Sequence, residues 1–174
     1  MIAAMSSFLV RFFLFFLAVF GVLFLLVWFY LSVTSPAEAA EDTVQMQMQT
    51  VTFKAGRARV GRPYGGSHDF AVEIARTPDQ HRLGLMGRES LAADTGMLFV
   101  FSPPRTVGMW MQDTLVSLDM LFADRLGNIT FIAENTQPMS EAIHQAPGRT
   151  AYVLEVPAGT VQRLSIQVGH RLTF

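Results

Sequence analysis

Twenty consecutive residues without a formal charge, Phe12 to Leu31 (FFLFFLAVFGVLFLLVWFYL), constrain this chain more than any other feature. As a helix, at about 1.5 Å per residue, the run is roughly 30 Å long, the thickness of a bilayer's hydrocarbon core. It has no polar stripe, so such a helix needs lipid or burial on every side. Trp28 and Tyr30 stand at its C-terminal end, where an interfacial aromatic belt belongs. Arg11 and the amino terminus lie before it, and Glu38, Glu41 and Asp42 come after it. That charge bias predicts a cytoplasmic N-terminus over 1–11 and a transmembrane helix over 12–31. The protein would then be a single-pass inner-membrane protein of a Gram-negative bacterium, with its C-terminal domain in the periplasm. The competing reading is a cleaved signal peptide. Ala37-Glu38-Ala39 is a small-x-small site, and cleavage after Ala39 would release a periplasmic domain. The apolar run exceeds the usual span of about 7–15 residues, which favours retention.

The rest of the composition excludes more than it assigns. The formal net charge is −1, and Lys54 is the sole lysine. Lys54, Arg57, Arg59 and Arg62 make the one local basic run, which reads as a charged lead-in. A nucleic-acid partner is therefore not expected. With no cysteine, disulfides, thiol catalysis and Cys-ligated metals are excluded. There is no HExxH, GxSxG, P-loop or dinucleotide fingerprint, so no cofactor is expected. His68, His81, His144 and His170 are scattered and read as surface or loop residues.

Taken in order, 32–66 reads as a tether. Val44 to Gln49, extended by Val51 and Phe53, alternates weakly enough to suggest an edge strand, and Gly56, Gly61, Pro63, Gly65 and Gly66 break the stretch after it. The domain proper is read as 67–174. Phe70 to Arg76 alternates as a strand. Thr77, Pro78 and Gln80 form a capping-box start for a helix over Pro78 to about Met86. Met97 to Phe101 is apolar on both faces and so reads as a central strand, stopped by Ser102-Pro103-Pro104. Further strands are expected at Val107 to Gln112, Ser117 to Ala123, Ile129 to Ala133, Ala151 to Val156 and Val168 to Phe174. A hairpin loop falls at Asp124 to Asn128, and a short helix or turn comes after Pro157-Ala158-Gly159. The polar excursion from Glu134 to Thr150 is long enough to be a binding loop. The prediction is a mainly β, β-rich α+β domain: a small β-barrel-like or mixed-sheet fold with about two short helices.

Several separated blocks also carry a resemblance. They are Gly84-Leu85-Met86 with Arg88, Gly96 to Phe99 with Phe101, Trp110-Met111 with Asp113-Thr114, Leu118-Asp119 with Phe122, and Val153-Leu154-Glu155 with Gly159. In this order they are similar to the blocks GLM-x-R, GMLF-x-F, WM-x-NT, PLD-x-x-F and VLE-x-x-x-G of the DUF192 family, also called UPF0127. The resemblance covers about Phe70 to Leu172 and implies a small, mostly β domain, often exported in bacteria, without an established chemistry. Two positions depart from the pattern. Asp113 stands for the usual Asn, replacing a donor and acceptor with an acceptor alone, and Ser117 stands for the usual Pro.

The residues that could carry function cluster in the same blocks. Asp119 lies in an apolar run, so if inward it must be paired with Arg88, bonded to backbone N–H groups, or serve as a site carboxylate. Asp113 and Thr114 read as turn residues bonding their own backbone. As a functional pair, Asp113 and Asp119 are the candidates for acid–base catalysis or for holding a hard divalent cation. Arg88 either fixes the helix end by an ion pair or clamps an anion. Trp110 either fills the core or, with Met109 and Met111, rims an apolar groove. The leading functional reading is an envelope module that binds an unknown ligand or protein through Arg88, Trp110, Asp113, Thr114 and Asp119. The alternative is a small hydrolase or lyase acting on a polysaccharide or cell-wall component, and these residues leave open whether the protein is an enzyme.

Overall fold

Eight residues in the stretch read as a glycine-broken tether form a full strand. In the computed structural model, which describes positions 23, 24, 26, 28 and 29 and residues 51–63 and 65–174, strand β1 spans Lys54–Gly61. It pairs antiparallel with β2 (Ser67–Ala75) from Lys54↔Ile74 through Gly61↔Ser67. Gly65 and Gly66 have positive φ and turn the hairpin, and the Arg62 N–H donates to the Gly66 carbonyl at 3.0 Å. Gly56 sits mid-strand because a Cβ there would stand 2.6 Å from Cδ1 of Ile74. Its glycine reflects close packing, not a break.

After β2 the chain crosses through α1 (Pro78–Leu83) to β3 (Thr95–Arg105), which lies parallel to β2. The capping box is present: Thr77 Oγ1 accepts from the Gln80 N–H, and the Gln80 side chain accepts from the Thr77 N–H. Ser102-Pro103-Pro104 does not end β3. These residues lie in a bulge of β3, between the pairs Val100↔Tyr152 and Arg105↔Thr150, where no ladder pair is formed with β8.

The segment read as a strand over Val107 to Gln112 keeps two strand residues, β4 (Gly108–Met109). Next come β5 (Leu118–Ala123), β6 (Ile129–Thr136), β7 (His144–Gln145) and β8 (Thr150–Pro157), then α2 (Thr160–Leu164) and β9 (Arg171–Thr173). Part of the long excursion is therefore structured, since β7 pairs with β4. The β5–β6 hairpin is held by Asp124, whose carboxylate accepts from the Leu126 and Asn128 backbone N–H groups and from the Asn128 side chain.

Seven strands make one mixed sheet in the order β6-β5-β8-β3-β2-β1-β9. It curls into a half-barrel whose edge elements meet at one end. The Ile129 N–H donates to the His170 carbonyl at 2.8 Å, and the Leu172 N–H donates to the Gly127 carbonyl at 2.7 Å. One apolar cluster fills the side covered by α2, including Phe70, Leu98, Leu121, Leu154 and Val161. A second lies on the opposite face, including Met97, Phe99, Met111, Met120 and Phe122. Strand alternation thus sends Leu154 and Val156 to one core and Val153 to the other.

Contacts define a compact unit from Val51 to Phe174. Positions 23, 24, 26, 28 and 29 are helical. Among the described residues no helix is long and apolar enough to cross a membrane. Most of the expected 12–31 span, the Ala37–Ala39 cleavage site and the Val44–Gln49 strand lie outside the described residues.

Candidate functional site

The aspartate at the centre of the sequence argument faces away from the tryptophan. Asp119 is fully buried on the α2 side of the sheet, sharing its strand face with Leu121. Oδ1 accepts the Asn135 N–H at 2.9 Å, and Oδ2 accepts the Val161 N–H at 2.8 Å. It thus binds backbone amides, one of the expected alternatives, and not Arg88. Arg88 forms an ion pair with Glu73 of β2 that ties the 84–88 turn to the sheet.

Asp113 is exposed and left-handed, with φ of 52°. Its carbonyl accepts the Gly87 N–H at 2.8 Å. Asn and Asp share this tolerance for left-handed backbone, which accounts for an Asp where the resembling pattern has Asn. Ser117, in the place of Pro, donates its hydroxyl to the Thr136 carbonyl at 2.7 Å. Among the described residues no group of three metal-ligating side chains occurs, and no catalytic carboxylate pair forms, since both oxygens of Asp119 are taken up by backbone amides.

Trp110 is not core filling: it is 48% exposed. Met111, expected beside it on a groove rim, is instead fully buried in the second core. Its N–H donates to the Ser140 carbonyl at 2.9 Å, which fastens the 107–114 segment to the 136–146 loop. Thr114 is buried, and its carbonyl accepts the Met139 N–H at 3.1 Å. These bonds turn Trp110 and Met109 outward over a cavity of about 60 Å³ between α1, its following turn and β4.

Glu155 closes the inner end of that cavity. It is 3% exposed, on β8 in register with Met97 of β3 and Met120 of β5, both fully buried. Among the described residues no hydrogen bond or ion pair to its carboxylate is seen, and its open side is the cavity. Burial alone pushes its pKa up to about 8. His81 also lines the cavity; burial holds its imidazole below the usual range, while Nε2 donates to the Ala75 carbonyl at 3.2 Å. Gln112 and Thr114 also line the cavity, with the Thr114 hydroxyl donating to the Gln112 carbonyl at 3.2 Å. Glu155 is the member that motif reasoning missed, although its signal was in the sequence: a carboxylate inside an otherwise apolar central strand, AYVLEV.

A model of the DUF192 family, described as Uncharacterized ACR, matches residues 61–174. The chain belongs to the DUF192 family. Solved structures share the fold, among them these two. One is from Sinorhizobium meliloti 1021, described as a proposed transcription regulator. It is 46% identical with a TM-score of 0.69, covering 71% of this chain and 95% of its own. The other is a protein of unknown function from Novosphingobium aromaticivorans DSM 12444. It is 32% identical with a TM-score of 0.69, covering 72% and 89%. No functionally curated protein matches the chain. In this DUF192 domain, Gly84, Leu85 and Met86 of the GLM-x-R block, Trp110 of the WM block and Glu155 of the VLE block line the cavity. The LD block instead serves the far face of the sheet through Asp119.

Proposed function

We propose that this DUF192 domain is a binding module whose ligand, or an exposed group of a protein partner, enters the cavity beneath Trp110. One observation carries the reading: a half-exposed indole stands over a cavity floored by a buried carboxylate with no partner of its own. Large aromatic surfaces left open at a rim are expected where contact is to be made. In this reading Trp110 and Thr114 touch the ligand. Asp113 and Arg88 hold the wall through Gly87 and Glu73, and Asp119 supports the fold.

The domain is proposed to work outside the cytoplasm, tethered by residues 12–31. Support comes from the uncharged run and its flanking charges. No nucleic-acid partner is proposed, despite the description given to the Sinorhizobium protein. Arg59, Arg82, Arg88 and Arg163 are engaged with carboxylates and do not form a free basic face.

Native mass spectrometry of the full chain, purified gently from its source membranes, tests the binding reading. The expected result is a mass lost on denaturation and absent from a folded Trp110→Ala variant. No adduct in repeated preparations, together with no crosslinked partner from intact cells, would overturn it. For the tether, alkaline carbonate should leave the protein in the membrane, and protease added to spheroplasts should digest the domain.

A further inference from the structure

Glu155 is a carboxylate for which the fold has no internal use. Met97 and Met120 flank it on the neighbouring strands, and its open side is the 60 Å³ cavity. The titratable groups around that cavity come from α1. His81 is committed to the Ala75 carbonyl, and Arg82, which also lines the cavity, reaches Asp79 at 3.5 Å. The 108–114 segment brings Gln112 and Thr114 to the wall but no cation, and β3 brings Phe99. A buried carboxylate without a counter-charge gives up its charge by holding its proton, and a cationic ligand would let it ionise. A cavity of about 60 Å³ admits a small head group.

We propose that this cavity binds a primary ammonium group on a short apolar stem, with Glu155 as its counter-ion. Gln112 and Trp110 line the same cavity and bring to it an amide and an aromatic ring, both suited to a cation. The inference rests on the groove being a ligand site and gives that ligand its chemical class. An ammonium carries three donors and no acceptor, which matches a cavity whose carboxylate lacks a donor. A carboxylate or phosphate ligand would instead keep Glu155 protonated and bring it no counter-charge. A hard divalent cation needs more oxygen ligands than Glu155 and Gln112 supply.

The test uses n-butylammonium, with n-butanol as the uncharged control, on the full chain. NMR follows the Trp110 indole N–H, told apart from Trp28 by its loss in Trp110→Phe, and the Glu155 carboxyl carbon. Butylammonium is expected to shift the indole saturably and to lower the Glu155 titration midpoint by about one pH unit or more, a tenfold coupling. Glu155→Gln should weaken butylammonium at least tenfold and leave butanol unchanged. If Glu155→Gln does not fold, Glu155→Met, matched to the methionines on either side, reads the same loss. Equal responses to butanol and butylammonium, with the Glu155 midpoint unmoved, would overturn the proposal. So would no response to butylammonium at concentrations on the order of 50 mM. If the native-mass adduct persisted in that case, the groove would remain a ligand site of another chemistry. Loss of both would remove the site itself.

Discussion

The Asp119 carboxylate accepts the backbone N–H of Val161, 42 residues away, at 2.8 Å, and so fastens strand β5 to the first turn of α2. Its other oxygen takes the Asn135 N–H, where the backbone is left-handed with φ of 50°. Removing the carboxylate strands two inward-facing amides, each worth roughly 1–3 kcal/mol when left unsatisfied. Asp119→Ala is therefore expected to lose about 3 kcal/mol or more in urea denaturation. Asp119→Asn should lose less, because its carbonyl still accepts one bond. An Asp119→Ala variant with an unchanged midpoint would refute this structural role.

Glu155 makes stability depend on pH with a sign opposite to the usual carboxylate. Its folded pKa is raised from 4.5 to about 8. Between these values the folded state holds a proton that the unfolded chain has released. Stability therefore falls as pH rises, by about 1.4 kcal/mol per pH unit, until the folded group also ionises near pH 8. The whole effect is on the order of a few kcal/mol. The melting temperature should decline from pH 5 to pH 8, and Glu155→Gln should flatten that decline and melt above the parent at pH 8. A parent with a level profile across this range would show that Glu155 is ionised and paired.

Gly127 holds the point where the edges of the half-barrel meet. Its φ is +84°, and an added Cβ would collide with the carbonyl of Leu172, in the middle of β9, on which the seam depends. Left-handed strain alone costs on the order of 1–3 kcal/mol for a residue with a side chain. Gly127→Ala should destabilise by at least that much. In hydrogen exchange, the amides of Ile129 and Leu172 should lose protection ahead of those in β3.

Strands β2, β3, β5, β6 and β8 were legible because each carries a sustained apolar run or alternation, whereas β1 and β7 were not. Phe70, Val72 and Ile74 declared β2, and Met97 to Phe101 declared a strand buried on both faces. What misled was local chemistry overridden by packing. Gly56 looked like a breaker and is a contact point for Ile74. Pro103 and Pro104 looked like a stop and occupy a register shift. The site was half legible. Trp110 was singled out, but its exposure depends on how Met111 and Thr114 anchor their segment to Ser140 and Met139, a loop distant in sequence. Glu155 and Asp119 are both acids in apolar strands, and alternation cannot say which core each will face. The one bonded to amides became structural and the one left unpaired became the candidate site residue.

The same separation of support from contact governs Arg88. It pairs with Glu73, and both side chains are about one-third exposed, at 35% and 36%. Ion pairs at such exposure are screened and contribute about 1 kcal/mol or less. Arg88→Ala should therefore shift the unfolding free energy by less than that, and the shift should shrink in about 1 M salt. If Arg88 acts only on the turn, the variant should keep ligand affinity within about threefold, whereas Trp110→Ala should lose it while melting like the parent. A loss of binding in Arg88→Ala that matched Trp110→Ala, with stability unchanged, would move the guanidinium from the wall's support to the ligand itself.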